Sequence, residues 1–266
     1  MPKVGAFVDF ETILFDVTDE IATITINRPE RANTISPGLT ADITAAVDSI
    51  AADEGVRAVI LTGAGRHFCG GADLRAMGGG GRSGIPGRNL FSQFESLRQP
   101  VIAAINGAAM GGGCELALAC DIRVMALEAQ IGTPEIKFGA LPAGGGTQRL
   151  ARMVGVGMAK ELVMTGEPIS AERAREIGLV NSVVPGAQLM DEARRYAGVF
   201  VQRAPFALAT AKQLVLKSVD VELQVGLMME SNAISAMATP EERGQERERA
   251  AANSDTYKRI FAQSDN

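Results

Sequence analysis

A nearly uninterrupted run of small and apolar residues at 101–120 constrains the fold more than any other part of the chain. Its length would suit a membrane-spanning helix, but it contains Asn106, three successive glycines at 111–113 and Glu115. The glycines would break such a helix, and a carboxylate within lipid would be costly. The run therefore predicts a buried strand, a turn and a buried helix, and it leaves the burial of Glu115 to be explained.

The composition argues against several classes of protein. The 266 residues are 46% hydrophobic and 21% charged, and the net charge of −5 disfavours nucleic acid or an anionic membrane as a partner. The odd number of cysteines, three, predicts reduced thiols and a cytoplasmic protein, and the first residues lack the pattern of a signal peptide. With a single histidine, a His-rich metal site is excluded, and neither a metal nor a separate cofactor is predicted.

The pattern divides the chain into an α/β part and a helical part. Alternating apolar residues predict a hairpin at 13–27, and Ser36 before Pro37 predicts the capped start of a helix. Buried strands are predicted at residues 56–62, 101–105, 122–125 and 129–132. Because strand, strand and helix recur in that order, we expect a right-handed coil of α/β units over residues 1–195. Residues 196–266 show helical periodicity and are predicted to form a C-terminal helical region.

Glu115 follows the glycines that open the predicted buried helix. Glycines let a backbone approach a ligand closely, and the first N–H groups of a helix are free and favour negative charge. Glu115 itself lies between Cys114 and Leu116, and apolar surroundings raise the pKa of a carboxyl. Such a carboxyl is either paired for structural reasons or catalytic, and we favour the catalytic role.

Glu135 is less distinctive when it is considered alone. Pro134 stiffens the turn that presents it, but a glutamate at the start of a helix commonly has no catalytic role. Two carboxyls in different environments can nevertheless divide the roles of acid and base.

Three further glycine-rich stretches leave alternatives open. In residues 68–74, which follow a strand, Ala72 would offer a backbone N–H at a cleft, whereas Asp73 would alternatively cap a helix. Residues 142–150 either cradle a phosphate or shape the floor of a site before a helix, and we favour the second role. Residues 78–87 lack an apolar period and predict a loop. The phosphate-binding motif G-x-x-x-x-G-K-[ST] does not occur in the sequence, so a P-loop is excluded.

Taken in order, these motifs resemble the enoyl-CoA hydratase/isomerase (crotonase) superfamily. The matching stretches are residues 26–29, 59–63, 68–73, 100–107, 111–116, 132–135, 144–150 and 174–180. The resemblance implies a crotonase-like α/β spiral of repeated β-β-α units followed by a helical trimerisation region. It also implies an acyl-CoA thioester substrate, which brings coenzyme A with it, and a homotrimer or a dimer of trimers.

The resemblance also implies roles for individual residues. The N–H groups of Ala72 and Gly112 would form an oxyanion hole for the thioester oxygen, and Glu115 and Glu135 would activate one water. The expected reaction is that of an enoyl-CoA hydratase in fatty-acid oxidation, which hydrates a trans-2-enoyl-CoA to a 3-hydroxyacyl-CoA. Contacts with the substrate and its CoA are expected from Arg31, Ala32, Asp73, Leu74, Arg75, Gly111, Pro134 and Leu141.

Two alternatives to the hydratase stay open at this point. An isomerase, or another specialised acyl-CoA lyase or hydrolase on the same scaffold, is the first, because residues 244–261 depart from the tail pattern of the family and the loop at 78–87 would reshape an acyl pocket. A non-catalytic, RNA-binding relative is the second, and the acidic net charge disfavours it.

Overall fold

The computed structural model describes residues 10–73, 90–236 and Gly244. Several sequence predictions fall on other residues. Leu74, Arg75, the loop at 78–87 and nearly all of the tail at 244–261 lie outside the described residues.

The described chain starts with strands and ends with helices. Its strands are β1 (Ile13–Thr18), β2 (Ile21–Ile26), β3 (Ala58–Gly63), β4 (His67–Cys69), β5 (Val101–Ile105), β6 (Ala108–Met110), β7 (Ile122–Ala126), β8 (Gln130–Gly132), β9 (Ile169–Ser170) and β10 (Ser182–Val184). Its α-helices are α1 (Pro37–Ala52), α2 (Leu90–Ser96), α3 (Gly112–Ala119), α4 (Gly146–Thr165), α5 (Ala171–Glu176), α6 (Leu189–Val201), α7 (Pro205–Lys217) and α8 (Leu223–Ala236). The run at 101–120 is therefore a strand, a turn and a helix as predicted, but the predicted turn also contains β6.

Local sequence signals set the first elements. Asp19 and Glu20 join β1 to β2 with φ angles of 53° and 63°, the left-handed pair that a type I′ hairpin turn requires. The Ser36 hydroxyl accepts a hydrogen bond from Leu39 N at 3.2 Å and caps α1, with Pro37 in the first turn. The predicted hairpin and the predicted helix start are both confirmed.

The strands form two sheets between which the chain alternates. The larger sheet has the order β1-β2-β3-β5-β7-β10 and the smaller sheet the order β4-β6-β8-β9. From β3 to β8, each strand of the larger sheet is followed by one of the smaller sheet, and α2 or α3 then leads to the next pair. This coil of strand–strand–helix units is the α/β fold that the sequence predicts.

Burial of the larger sheet explains its apolar strands. β3 and β5 are parallel neighbours, and every residue of both is buried. Helix α6 packs against β3, β5 and β7. Parallel strands covered by helices are apolar on both faces, which is why residues 101–105 show no alternation.

The C-terminal helices contrast with this core. Neither α7 nor α8 contains a buried residue. Their exposed apolar side chains are Val215, Leu216, Leu223, Val225, Leu227, Met228 and Ile234. Residue 195, where we divided the chain, lies within α6, and the division stays a prediction. In the described part of the chain, no helix combines the length and apolarity that a membrane crossing requires.

Candidate active site

The smaller sheet brings the predicted site residues together. Its strands β4, β6 and β8 are parallel, and the carboxyl ends of parallel neighbours meet at one edge. The chain leaves this edge toward Ala72 after β4, toward Gly112 after β6 and toward Glu135 after β8. Glu115 lies in the first turn of α3, which directly follows β6.

Two backbone N–H groups lie side by side at this edge. Ile35 N donates to Gly71 O at 2.7 Å and Asp73 N donates to Ile35 O at 2.9 Å, and because N–H groups alternate along extended chain, Ala72 N–H points away from Ile35. Gly112 is the first residue of α3, so its N–H has no acceptor within the helix. A Cβ placed on Gly112 would lie 3.8 Å from Ala72 N, which places the two donors next to each other.

Glycine is required where these segments approach. Gly71 has a φ of 97°, and a Cβ there would lie 2.8 Å from Met110 O. Gly111 has a φ of 55°, and a Cβ there would lie 2.9 Å from Glu135 Oε1. A side chain at either position would strain the backbone and displace the site.

Glu115 is a buried carboxyl with a fixed partner. Its side chain is 3% exposed, and its Oε1 accepts a hydrogen bond from Gly146 N at 2.8 Å. Burial raises the pKa of Glu115 to about 6, and the nearby charge of Glu135 also raises it, whereas the N–H groups of Gly146 and Gly144 favour the carboxylate. Near neutral pH, such a carboxyl can both accept and donate a proton.

Glu135 is held more loosely. It lies in the first turn of the 3₁₀ helix Pro134–Phe138, is half-buried, and has its pKa raised by burial. Its Oε2 is buried without a hydrogen-bond partner among the described residues. A buried carboxyl oxygen normally has a partner, so this atom is available to a water or a substrate group. Glu135 is therefore both a helix-start glutamate and a neighbour of Glu115.

Some of the residues predicted to contact CoA lie near the N–H groups of Ala72 and Gly112, and others lie farther along the chain. Gly70 N donates to Ala32 O at 2.8 Å, so the 31–33 segment lies along the chain that leads to Ala72. The Asp73 carboxylate forms an ion pair with Arg28 at 3.1 Å. Pro134 precedes Glu135, whereas Leu141 is exposed three residues before the 144–146 turn.

The sequence did not predict what holds Glu115. The sequence predicts that the stretch at 142–150 shapes the floor of the site, and Gly146 of this stretch does contact Glu115. The N–H groups of Gly146 and Gly144 bind the carboxyl directly. Arg149, which is paired with Glu95, donates to the same turn. Three glycines before a helix, the same signal that precedes α3, mark this stretch.

Within residues 10–73 and 90–236, no three His, Cys, Asp or Glu side chains are grouped as a metal site would require.

The chain is similar in sequence and structure to enoyl-CoA hydratases. Residues 16–252 match the family model described as "Enoyl-CoA hydratase/isomerase". A short-chain-enoyl-CoA hydratase of Clostridium acetobutylicum is 39% identical over 240 residues, which cover 88% of this chain and 92% of that protein. A crotonyl-CoA hydratase of Syntrophomonas wolfei is 36% identical, with 84% of this chain and 88% of that one covered. The crystal structure of an enoyl-CoA hydratase from Bacillus anthracis is 41% identical with a TM-score of 0.81, over 85% of this chain and 90% of that one. The chain belongs to the enoyl-CoA hydratase/isomerase family.

Proposed function

We propose that this protein is an enoyl-CoA hydratase, which adds water across the 2,3 double bond of a trans-2-enoyl-CoA to give a 3-hydroxyacyl-CoA. The names of the relatives in Clostridium acetobutylicum and Syntrophomonas wolfei support this reaction. The observation that carries it is the pair of carboxyls, Glu115 and Glu135, at the same sheet edge as the N–H groups of Ala72 and Gly112, which have no acceptor among the described residues.

Each part of the site has a role in this reaction. One carboxylate accepts a proton from water while the water oxygen bonds to C3 of the acyl chain. The π electrons of the double bond move to the thioester oxygen, where the N–H groups of Ala72 and Gly112 hold the enolate. A carboxyl then gives a proton to C2, so one water is added and the proton count of the pair is restored.

The expected contributions are large enough to account for catalysis. A single oxyanion-hole donor is worth about 3 kcal/mol. A positioned general acid or base contributes roughly a hundredfold to ten-thousandfold in rate. The raised pKa values of Glu115 and Glu135 support acid–base roles, because proton transfer is most effective when the pKa lies near the working pH.

We further propose how the substrate and other copies of the chain are bound. Arg31, Ala32 and Asp73 would line the path of the CoA moiety, and Pro134 and Leu141 would contact the acyl side. The exposed apolar side chains of α7 and α8 support a homotrimer or a dimer of trimers, in which another copy would cover them. Three free, buried cysteines support a cytoplasmic location.

Hydration of crotonyl-CoA tests the reaction. Loss of the enoyl thioester absorbance gives the rate, and mass spectrometry identifies 3-hydroxybutyryl-CoA. We expect Glu115→Gln and Glu135→Gln each to lower kcat by roughly a hundredfold or more, whereas Glu161→Gln, an exposed position on α4, should keep kcat within about twofold. Normal hydration by both active-site variants would eliminate the proposed mechanism.

An isomerase is the competing function, because the same two carboxyls could move a proton between C2 and C4 without water. A 3-enoyl-CoA thioester separates the two reactions. Formation of the 2-enoyl product without any hydration of crotonyl-CoA would replace the hydratase proposal with the isomerase.

A further inference from the structure

An ion pair that lies behind Glu115 holds the turn that binds it. Arg149 Nε and Nη2 donate to Glu95 Oε1 and Oε2 at 2.6 and 2.8 Å, a two-pronged contact between α4 and α2. The third arm of the same guanidinium, Nη1, donates to Gly144 O at 2.7 Å. Such forked, charge-assisted contacts fix geometry as well as adding energy.

The turn at 144–146 transmits this constraint to the carboxyl. Gly145 has a φ of 112°, and a Cβ on it would overlap Arg149 Nη1, so the guanidinium lies directly against the turn. Gly146 N then donates to Glu115 Oε1 at 2.8 Å. Glu95, Arg149, the turn and Glu115 are thus joined in one chain of contacts.

The surroundings of the pair favour a defined geometry. The side chains of Arg149 and Glu95 are 14% and 28% exposed, so they are screened less than a surface pair. Both line a cavity of about 910 Å³ that α2, α4 and α7 help to enclose. A second ion pair that lines the same cavity, Arg152–Asp220 at 3.5 Å, is more exposed, and in the described chain the hydrogen bonds of Arg152 go to Gln148 and not to the 144–146 turn.

We propose that Arg149 and Glu95 are positioning residues for the hydration, an inference that rests on the proposed function. The pair fixes the 144–146 turn, and the turn fixes the orientation of the Glu115 carboxyl toward the water it shares with Glu135. In this role Arg149 and Glu95 act through Glu115, and neither would touch the substrate.

The charges around Glu115 predict that Arg149 and Glu95 have different effects on its pKa. Arg149, from α4, favours the carboxylate of Glu115, whereas Glu135, from the 3₁₀ helix, disfavours it. Glu95 of α2 faces Arg149 and offsets its positive charge. Of the strands next to α3, β6 carries no titratable side chain and β4 carries His67 and Cys69. Loss of Arg149 should therefore raise the pKa of Glu115, and loss of the Glu95 charge should not.

Steady-state hydration of crotonyl-CoA across pH tests the proposal. Arg149→Met should lower kcat on the order of a hundredfold with KM nearly unchanged, because the reacting group is misplaced while binding is kept. Its pH profile should move to higher pH. Glu95→Gln should lower kcat by about tenfold without moving the pH profile to higher pH. Arg149→Lys keeps the positive charge, so its pH profile should be closer to that of the wild type than its kcat is. Arg152→Met, the matched control one turn along α4, should stay within about twofold of the wild type.

A purely structural pair would give a different pattern. Arg149→Met and Glu95→Gln would then lower activity in proportion to the folded fraction seen by thermal unfolding, with the pH profile unmoved for both. That pattern, or a normal kcat for Arg149→Met, would overturn the proposal.

Titration by NMR separates this inference from the reaction itself. With the glutamate carboxyl carbons ¹³C-labelled and Glu115 assigned by its Gln variant, the pKa of Glu115 is measured without turnover. If the wild type hydrates no enoyl-CoA but Arg149→Met raises this pKa, the hydratase proposal fails and the Arg149–Glu95 contact stands. If hydration is normal and neither the pKa nor kcat responds to Arg149→Met, the positioning role is wrong.

Discussion

The two carboxyls at the site are held in different ways. Glu115 lies on a regular helix, is almost fully buried, and is bound by Gly146 N–H behind the Arg149–Glu95 pair. Glu135 lies on a short 3₁₀ helix whose next apolar residue is exposed, and its buried Oε2 has no partner among the described residues. Packing and hydrogen bonds therefore fix Glu115, whereas the geometry of a turn places Glu135.

Because of this difference, mutations near the two carboxyls should affect activity and stability to different degrees. A carboxyl with partners costs stability when it is altered, because the partners lose their contact. Among the described residues, the Glu135 carboxyl has a hydrogen bond only from its own backbone, so it can be altered with little effect on the fold, although catalysis still depends on it. Perturbation of the Glu115 region should thus affect both properties, and perturbation of the Glu135 region mainly activity.

Shortening each carboxyl by one methylene should show this most strongly. Glu115→Asp and Glu135→Asp should each lower kcat on the order of a hundredfold, because both move an acid–base group out of reach. Only Glu115→Asp should also destabilise the fold, by about 1–3 kcal/mol, since Gly146 N–H loses its acceptor inside the protein. Urea unfolding at pH 7 measures the difference, and equal destabilisation by both variants would contradict it.

Adding a methyl group beside Glu115, or at the end of the 3₁₀ helix that carries Glu135, should give a smaller contrast. A Cβ at Gly144 would overlap Phe91 and lie 2.6 Å from Glu115 Oε2, whereas a Cβ at Gly139 meets nothing within 4 Å. Gly144→Ala should therefore cost about 1–3 kcal/mol through overpacking and reduce kcat at least tenfold. Gly139→Ala should cost about 1 kcal/mol, because its φ of 70° disfavours alanine, and should leave kcat within about twofold. A normal kcat for Gly144→Ala would mean that the region around Glu115 can rearrange to accept the methyl group, which would contradict its tight packing.

The pH dependence of stability should distinguish the carboxyls further. The pKa of Glu115 is about 6 when folded and 4.5 in an unperturbed chain, so the protonated form favours folding. This contribution is fully present below pH 4.5 and is lost as the pH rises through about 6, a change of about 2 kcal/mol. Relative to the wild type, Glu115→Gln should therefore gain about 2 kcal/mol of stability between pH 4.5 and 7. Glu135→Gln should gain in the same direction but less, because Glu135 is only half-buried. Chemical denaturation at several pH values measures both. If the difference in free energy of unfolding between Glu115→Gln and the wild type were the same at every pH, the raised pKa of Glu115 would be refuted.

Sequence patterns predicted the parts of the site that depend on local chemistry. The hairpin turn, the cap at Ser36, the strand at 101–105 and the buried helix after the glycines are confirmed because each is set by neighbouring residues. Glu115 was conspicuous because a carboxyl among apolar residues is unusual. β6 was missed because a three-residue strand within a glycine-rich turn has too short an alternation to recognise.

Sequence patterns could not predict contacts between distant segments. Glu135 appeared ordinary because its neighbour Glu115 is brought to it by the pairing of β6 with β8, which no local pattern records. The forked contact between Arg149 and Glu95 joins residues 54 positions apart on two helices. Such pairs depend on how helices pack. The ordered family motifs link Glu115 with Glu135, but none of them contains Glu95.

The ion pairs of the two regions should give the smallest contrast. Lys137 and Glu167 form a pair at 2.7 Å near Glu135, but their side chains are 38% and 70% exposed. Exposed pairs contribute about 0–1 kcal/mol because water and salt screen them. Glu167→Gln should therefore change the free energy of unfolding by less than about 0.5 kcal/mol, leave kcat within about twofold, and show no added effect in 0.5 M salt. Glu95→Gln, which removes the corresponding charge near Glu115, should exceed it in both measurements. If Glu167→Gln matched Glu95→Gln in its loss of kcat, support from an ion pair would not distinguish the Glu115 region from the Glu135 region.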